Sequence, residues 1–159
     1  MQKNEKGNIL TVKPDGLTII WGGPASNGRY WHKATDFVEL IAVTWLEVKC
    51  SLPLSFLSAN TQYELSFSLK FKEESQGWNT HPVIFCVRVP GQKTIYKRVD
   101  LSKEIATSGN DWIDLPKGLV FKIENTKENE KLDFGMYEIE NDQWKKGLMI
   151  QSVKIKPVK

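Results

Sequence analysis

The 159-residue chain has few of the side chains on which nucleophilic and metal sites depend, with two cysteines and two histidines. Cys50 and Cys86 lie far apart in apolar, strand-like segments, which fits neither a zinc site nor a disulfide framework. We expect two buried thiols, and the sequence leaves open a bridge between them or between chains. Neither His32 nor His81 accompanies a Gly-x-Ser-x-Gly turn, so a nucleophilic enzyme is not indicated.

Long apolar runs and clustered charge are also missing. The chain has no run of 18 apolar residues, and residues 1–8 are polar, without the apolar core of a signal peptide. The 22 Lys and Arg residues exceed the 19 Asp and Glu residues by only three and are scattered, whereas a nucleic-acid surface needs a basic cluster. We therefore expect no membrane insertion, a cytoplasmic location and no favoured binding of RNA.

The His, Cys, Asp and Glu residues do not have the spacing of a metal site, and the sequence has no glycine-rich loop of the kind that binds phosphate. The sequence therefore predicts no metal and no cofactor. A glycosidase needs only two carboxylates beside a sugar, and Glu138 with Glu47, Glu39 or Asp142 is such a pair. Carboxylates are abundant in any soluble domain, so this pattern is weak. We predict a protein that is not an enzyme.

The main pattern in the sequence is an alternation of apolar and polar residues. Tyr63, Leu65, Phe67, Leu69 and Phe71 alternate with polar residues, as expected of a half-buried strand. The same period recurs at 119–124 and 149–156, where we place Met149, Gln151, Val153 and Ile155 on one face. The pattern predicts an all-β, jelly-roll-like antiparallel β-sandwich, with at most a short helix near residues 36–41. We expect a polar tail at 1–8 and a single domain at 9–159.

The chain is unusually rich in tryptophan, with six residues. Breaker-rich loops at 22–28 and 75–82 carry or adjoin Trp21, Trp31 and Trp78, and aromatics beside such loops are expected to reach solvent. Lectin sites pair exposed aromatic faces, which pack on sugar C–H groups, with polar side chains. Trp45, inside an apolar stretch, is expected in the core, and Trp112 is expected to be structural.

Four motifs in order give the chain a more specific resemblance. They are Leu17-Thr18-Ile19-Ile20-Trp21, Arg29-Tyr30-Trp31, Thr44-Trp45-Leu46-Glu47-Val48 and Trp144-Lys145-Lys146-Gly147-Leu148-Met149-Ile150, with a closing Ile155-Lys156-Pro157. From about Ile9 to Pro157 the chain resembles the phloem lectin family of plants, the Nictaba-like lectins. The resemblance implies a phloem lectin for N-acetylglucosamine oligomers such as chitin fragments, or for N-glycan cores on glycoproteins, and a homodimer.

The resemblance also implies site residues. Its matching tryptophans, Trp21 and Trp31, would bind the sugar ring, and Tyr30 belongs to the same motif. Glu138 falls where the family has an acidic residue implicated in sugar contact, while Trp144 and Lys145 resemble the sugar-binding loop of glycoprotein-recognising F-box proteins. Trp78 is a further candidate for lengthening the groove.

A second class of function remains open at the sequence level. The family occurs in phloem, and some members are associated with RNA movement, so a protein- or RNA-interaction module without sugar specificity is the alternative. The scattered charge argues against RNA.

Overall fold

The protein is described here by a computed structural model, which covers residues 9–20, 30–78, 81–108, 111–139 and 144–158. Within these ranges most of the regular structure is β-strand. The strands are β1 (Leu10–Val12), β2 (Thr18–Ile19), β3 (Trp31–Lys33), β4 (Val38–Leu40), β5 (Leu46–Pro53), β6 (Thr61–Gln76), β7 (Val83–Arg88), β8 (Ile95–Val99), β9 (Ile113–Leu115), β10 (Val120–Ile123), β11 (Lys131–Glu138) and β12 (Lys146–Pro157). The same ranges contain one α-helix, α1 (Leu101–Ser108), and the 3-10 turns Pro14–Gly16 and Leu54–Phe56.

The strands form two antiparallel sheets. A seven-stranded sheet has the order β10-β6-β12-β4-β3, with β1 added to β12 and β9 added to β6. A five-stranded sheet has the order β2-β5-β11-β7-β8. Every strand pairing is antiparallel, which confirms the predicted all-β antiparallel sandwich.

The alternating residues of β6 form the centre of the core, as predicted. Tyr63, Leu65, Phe67, Leu69 and Phe71 are all buried, and burial of each such side chain stabilises the fold by about 1.5–3 kcal/mol. The ring of Phe67 also joins the two sheets. Its centroid lies 5.5 Å from that of Phe85 on β7 and 6.4 Å from that of Phe134 on β11.

The last strand departs from simple alternation. The register of β12 against β6 shifts between Ile150 and Ser152, as expected where an extra residue forms a β-bulge. Leu148 and Ile150 are therefore buried on one side of the shift, and Val153 and Ile155 on the other. The prediction that Met149 and Gln151 share a face with Val153 and Ile155 is wrong because the shift changes the parity.

The helix lies elsewhere than predicted. Residues 38–40 form β4, which pairs with both β3 and β12. The helix instead begins after Asp100, whose Oδ1 accepts a hydrogen bond from the Ser102 backbone N–H at 3.0 Å, an N-cap interaction. No helix in the described part of the chain is long and apolar enough to span a membrane.

Candidate functional site

One end of the sandwich collects the predicted site residues. There β11 ends with Glu138 opposite Leu46, which begins β5, and β12 begins with Lys146 opposite Gln76, which ends β6. The start of β3, with Trp31, lies at the same end, because Trp31 pairs with Leu40 at the end of β4. We call this region the site end: residues 30–31, 43–46, 77–78, 138 and 144–146.

Trp21 lies outside the described residues, so its predicted role stays a prediction. The residue before it, Ile20, donates its backbone N–H to Glu47 O at 3.1 Å. The described chain therefore leaves β2 beside β5, close to the site end.

Two exposed tryptophans stand on adjoining segments of the site end. Trp144 is 56% exposed and Trp45 is 41% exposed. Their segments are joined by an isolated antiparallel bridge, in which the Val43 N–H donates to Lys145 O at 3.1 Å and the Lys145 N–H donates to Val43 O at 2.8 Å. This bridge places Thr44 beside Trp144, so the two exposed tryptophans lie on neighbouring, hydrogen-bonded segments of the site end.

The expectation that Trp45 lies in the core is wrong. Leu46, Val48, Cys50 and Leu52 point inward from β5, so Trp45 has the parity of the outward residues that alternate with them. Its Nε1–H donates to Glu47 Oε1 at 2.8 Å, which holds the edge of the indole on the outer side of the five-stranded sheet. The alternation of buried and exposed residues along β5, extended back by one residue, is the sequence signal that would have predicted the outward position of Trp45.

A buried charge pair lies under these tryptophans. Lys145 and Glu138 are both buried, and Lys145 Nζ lies 3.8 Å from Glu138 Oε1. Lys145 Nζ also donates to Thr44 O at 2.9 Å. Burial lowers the pKa of the Lys145 ammonium, and the Glu138 carboxylate opposes that shift. The pair thus joins β11 to the segments that carry Trp45 and Trp144.

Trp78 packs inside the site end. The prediction that it reaches solvent is wrong, because it is 3% exposed. Its Nε1–H donates to Lys146 O at 3.1 Å, and its ring meets that of Phe71 edge-on at 6.4 Å between centroids. Gly77 precedes it with φ of +92°, and a Cβ at Gly77 would overlap Trp144 O and lie 2.8 Å from Lys145 Cα. Glycine therefore lets residues 77 and 144–145 approach closely.

Trp31 lies at the site end, but its side chain is 2% exposed, so its face is not open to solvent. Its Nε1–H is buried and has no acceptor within hydrogen-bond distance among the residues described. The neighbouring Tyr30 is half-buried and accepts backbone hydrogen bonds from Ile41 at 2.8 Å and Ala42 at 3.3 Å. The stacking role predicted for Trp31 stays a prediction.

The remaining candidates lie away from this end. Trp112 packs edge-on against Phe37 with 6.1 Å between centroids, which supports the structural role expected of it. Both cysteines are free thiols, Cys50 buried and Cys86 half-buried. Burial, assisted by the charge of Asp133, raises the pKa of Cys50 to about 11. The described ranges contain no group of three or more His, Cys, Asp or Glu residues that could hold a metal ion.

The architecture has solved counterparts among carbohydrate-binding modules. The CBM22-1 xylan-binding domain of Paenibacillus barcinonensis Xyn10C matches with a TM-score of 0.50 and 17% identity, covering 100% of this chain and 99% of that one. The tandem CBM22-1-CBM22-2 structure from the same protein matches with a TM-score of 0.50 and 16% identity, over 96% of this chain and 47% of that one. These likenesses establish the fold class, a β-sandwich of the carbohydrate-binding-module kind.

The family follows from the sequence comparison. The family model described as phloem protein 2 matches residues 7–157, so the chain belongs to the phloem protein 2 family, the phloem lectins that its motifs resembled. Protein PHLOEM PROTEIN 2-LIKE A9 of Arabidopsis thaliana is 29% identical, over 99% of this chain and 92% of that protein. PHLOEM PROTEIN 2-LIKE A2 of the same plant is 31% identical, over 80% of this chain and 63% of that protein.

Some relatives are longer. F-box protein PP2-B10 of Arabidopsis thaliana is 22% identical to this chain over its full length, but the match covers 64% of that protein. The chain thus spans less than two thirds of PP2-B10 and of PHLOEM PROTEIN 2-LIKE A2.

Proposed function

We propose that the protein is a non-catalytic lectin that binds N-acetylglucosamine oligomers, and the N-acetylglucosamine core of N-glycans, at the site end. The observation that carries the proposal is the pair of exposed indoles, Trp45 and Trp144, on two hydrogen-bonded segments. An indole face packs on the C–H groups of a sugar ring, while the ring's hydroxyls need polar partners nearby. Membership of the phloem lectin family and the fold shared with a xylan-binding domain support sugar as the ligand class.

The other predicted residues take different parts in this proposal. The carboxylate of Glu138 is buried beside Lys145, so its part is to hold the lysine that braces the two tryptophan segments. The buried Trp31 N–H is a donor at the same end. Trp21 and Tyr30 remain candidates for direct contact with the sugar.

Affinity arithmetic favours an oligomer over a single sugar. A ligand of this size gains about 0.3 kcal/mol per heavy atom, so one N-acetylglucosamine unit of about 15 heavy atoms gains about 4.5 kcal/mol, close to millimolar affinity. Several sugar units, or several sites in a homodimer, raise this through added contacts or effective concentration. We therefore propose a homodimer, acting in the cytoplasm and phloem sap.

The test is calorimetry with chitotriose, together with retention on immobilised chitin. Trp144→Ala and Trp45→Ala should each weaken binding about 5- to 30-fold, since loss of one stacked aromatic is worth about 1–2 kcal/mol. Ile9→Ala is a matched control, because Ile9 has the same 56% exposure as Trp144 and lies next to β1, away from the site end. Full binding by both tryptophan variants would remove this surface from the proposal.

Two rival functions have their own readouts. If the protein does not bind chitin but binds RNA with an affinity that falls steeply with salt concentration, it is an RNA-interaction module. Shortening of chitotriose during incubation would reveal a hydrolase. Light scattering reports the number of subunits.

A further inference from the structure

A groove runs over the outer face of the five-stranded sheet, away from the core. Its volume is about 510 Å³, within the range of about 300–1,000 Å³ that ligand pockets occupy. Outward side chains of β5, β11 and β7 line it, together with Thr18 on β2 and Thr94 before β8. Its outward polar side chains include Glu47, Lys49, Ser51, Arg88 and Asp133.

Gly135 forms the middle of the groove floor. It lies on β11, the central strand of this sheet, directly between Lys49 on β5 and Cys86 on β7. A Cβ at position 135 would come within 2.7 Å of Val48 O and 3.2 Å of Lys49 Cβ. Glycine therefore allows β5 and β11 to pair closely and leaves the floor without a side chain, between Asp133 and Tyr137.

The chemistry of the walls fits an uncharged, hydroxyl-rich ligand. Two carboxylates, Glu47 and Asp133, face two cations, Lys49 and Arg88, so the formal charges of these four cancel. The opposite charges are neighbours: Lys49 Nζ lies 3.5 Å from Glu47 Oε2, and Asp133 and Arg88 are direct partners across the strands. Such walls supply both donors and acceptors, whereas a polyanion would require cations alone.

The groove is continuous with the site end. Glu47, one of its lining residues, accepts the hydrogen bond from Trp45 Nε1 at 2.8 Å. From Trp45 to Ser51 the chain advances six residues along β5, which is about 20 Å at about 3.3 Å per residue. A single sugar ring at Trp45 leaves most of that length free.

We propose that this groove binds the further units of a neutral oligosaccharide whose first ring lies against Trp45 and Trp144. The inference rests on the proposed function and adds the direction of the bound oligosaccharide, which runs from the site end across Gly135 toward Ser51. The groove, and not Trp78, would then explain a preference for longer oligosaccharides, because Trp78 is buried.

The test compares the monosaccharide N-acetylglucosamine with chitotriose and chitopentaose by calorimetry. The parent protein should bind the oligomers at least tenfold more tightly than the monosaccharide. Ser51→Trp places a large side chain at an exposed groove position and should abolish that advantage. Lys49→Ala, which removes a donor beside Gly135, should reduce it. Lys122→Trp is the matched control, since Lys122 is exposed on β10 of the other sheet.

The outcomes separate this proposal from the function on which it rests. If the parent binds no sugar, the proposed function fails. If the parent prefers oligomers and both Ser51→Trp and Lys49→Ala keep that preference, the groove proposal alone is overturned. If Ser51→Trp turns a dimer into a monomer while the preference persists, the groove is a contact between two copies of the chain, which also overturns the proposal.

Discussion

Replacement of Lys145 by methionine is the most direct test of the buried pair beneath the tryptophans. Methionine keeps an unbranched apolar side chain but removes the ammonium, so the buried Glu138 carboxylate loses a cation 3.8 Å away. At an effective dielectric constant of about 20, two unit charges at this distance interact by about 4 kcal/mol. Removal of one partner from a buried pair destabilises proteins by about 3–5 kcal/mol, so both estimates agree.

The measurement is urea unfolding followed by tryptophan fluorescence. With a slope of about 2 kcal/mol per molar urea, a loss of about 4 kcal/mol moves the midpoint down by about 2 M. Lys154→Met is the matched control. Lys154 pairs with Asp114 at 3.2 Å, but both side chains are partly exposed, and exposed pairs are worth about 0–1 kcal/mol.

A double-mutant cycle isolates the pair itself. The double variant Lys145→Met with Glu138→Leu leaves neither charge buried, so it should be at least about 2 kcal/mol more stable than the sum of the two single effects implies. Additive effects, or a Lys145→Met midpoint like that of Lys154→Met, would show that Lys145 and Glu138 do not depend on each other.

Two further predictions concern a thiol and a glycine. The pKa of Cys50, about 11 against 9.0 for a free thiol, favours the protonated thiol in the folded state; this contribution is complete below pH 9 and disappears as the pH rises through 11. Urea midpoints between pH 8 and 11 should therefore record an alkaline loss of up to about 2–3 kcal/mol that Cys50→Ala reduces, and an identical loss in that variant would assign it to other groups. Gly77→Ala should destabilise by more than Gly91→Ala, since both glycines have positive φ but nothing lies within 4 Å of a Cβ at Gly91; strain alone costs about 1–3 kcal/mol, and equal urea midpoints would contradict the close approach of residue 144.

The long strands could be predicted because their signal is local. In β6 each inward residue is apolar over nine positions, and only a strand buries such a set on one face. Segment 38–40 has the same signal over three residues, Val38 and Leu40 with Glu39 between them, and this is too short to distinguish a strand from a helical turn. The register shift in β12 depends on β6, far away in sequence, so alternation within β12 could not place it.

The candidate site was predictable in position more than in detail. The family resemblance implies that Trp31, Glu138, Trp144 and Lys145 are site residues, and the structure brings these four to one end of the sandwich. Their exposure was not predictable. Lysine and glutamate are rarely buried unless they are paired. The pairing of Lys145 with Glu138 arises only where the end of β11 meets the start of β12, and these two strands belong to different sheets.

The position of the site follows from the way this sandwich closes. At the site end the backbone of residues 43–45 has left β4 and has not yet entered β5, so its polar groups need partners outside the regular ladders. Lys145 supplies them: its backbone bonds Val43 and its ammonium bonds Thr44 O. The same contacts fix the segments that carry Trp45 and Trp144. Structural closure and the proposed sugar surface therefore depend on one residue, and Lys145→Met should weaken chitin retention even under conditions where the variant remains folded.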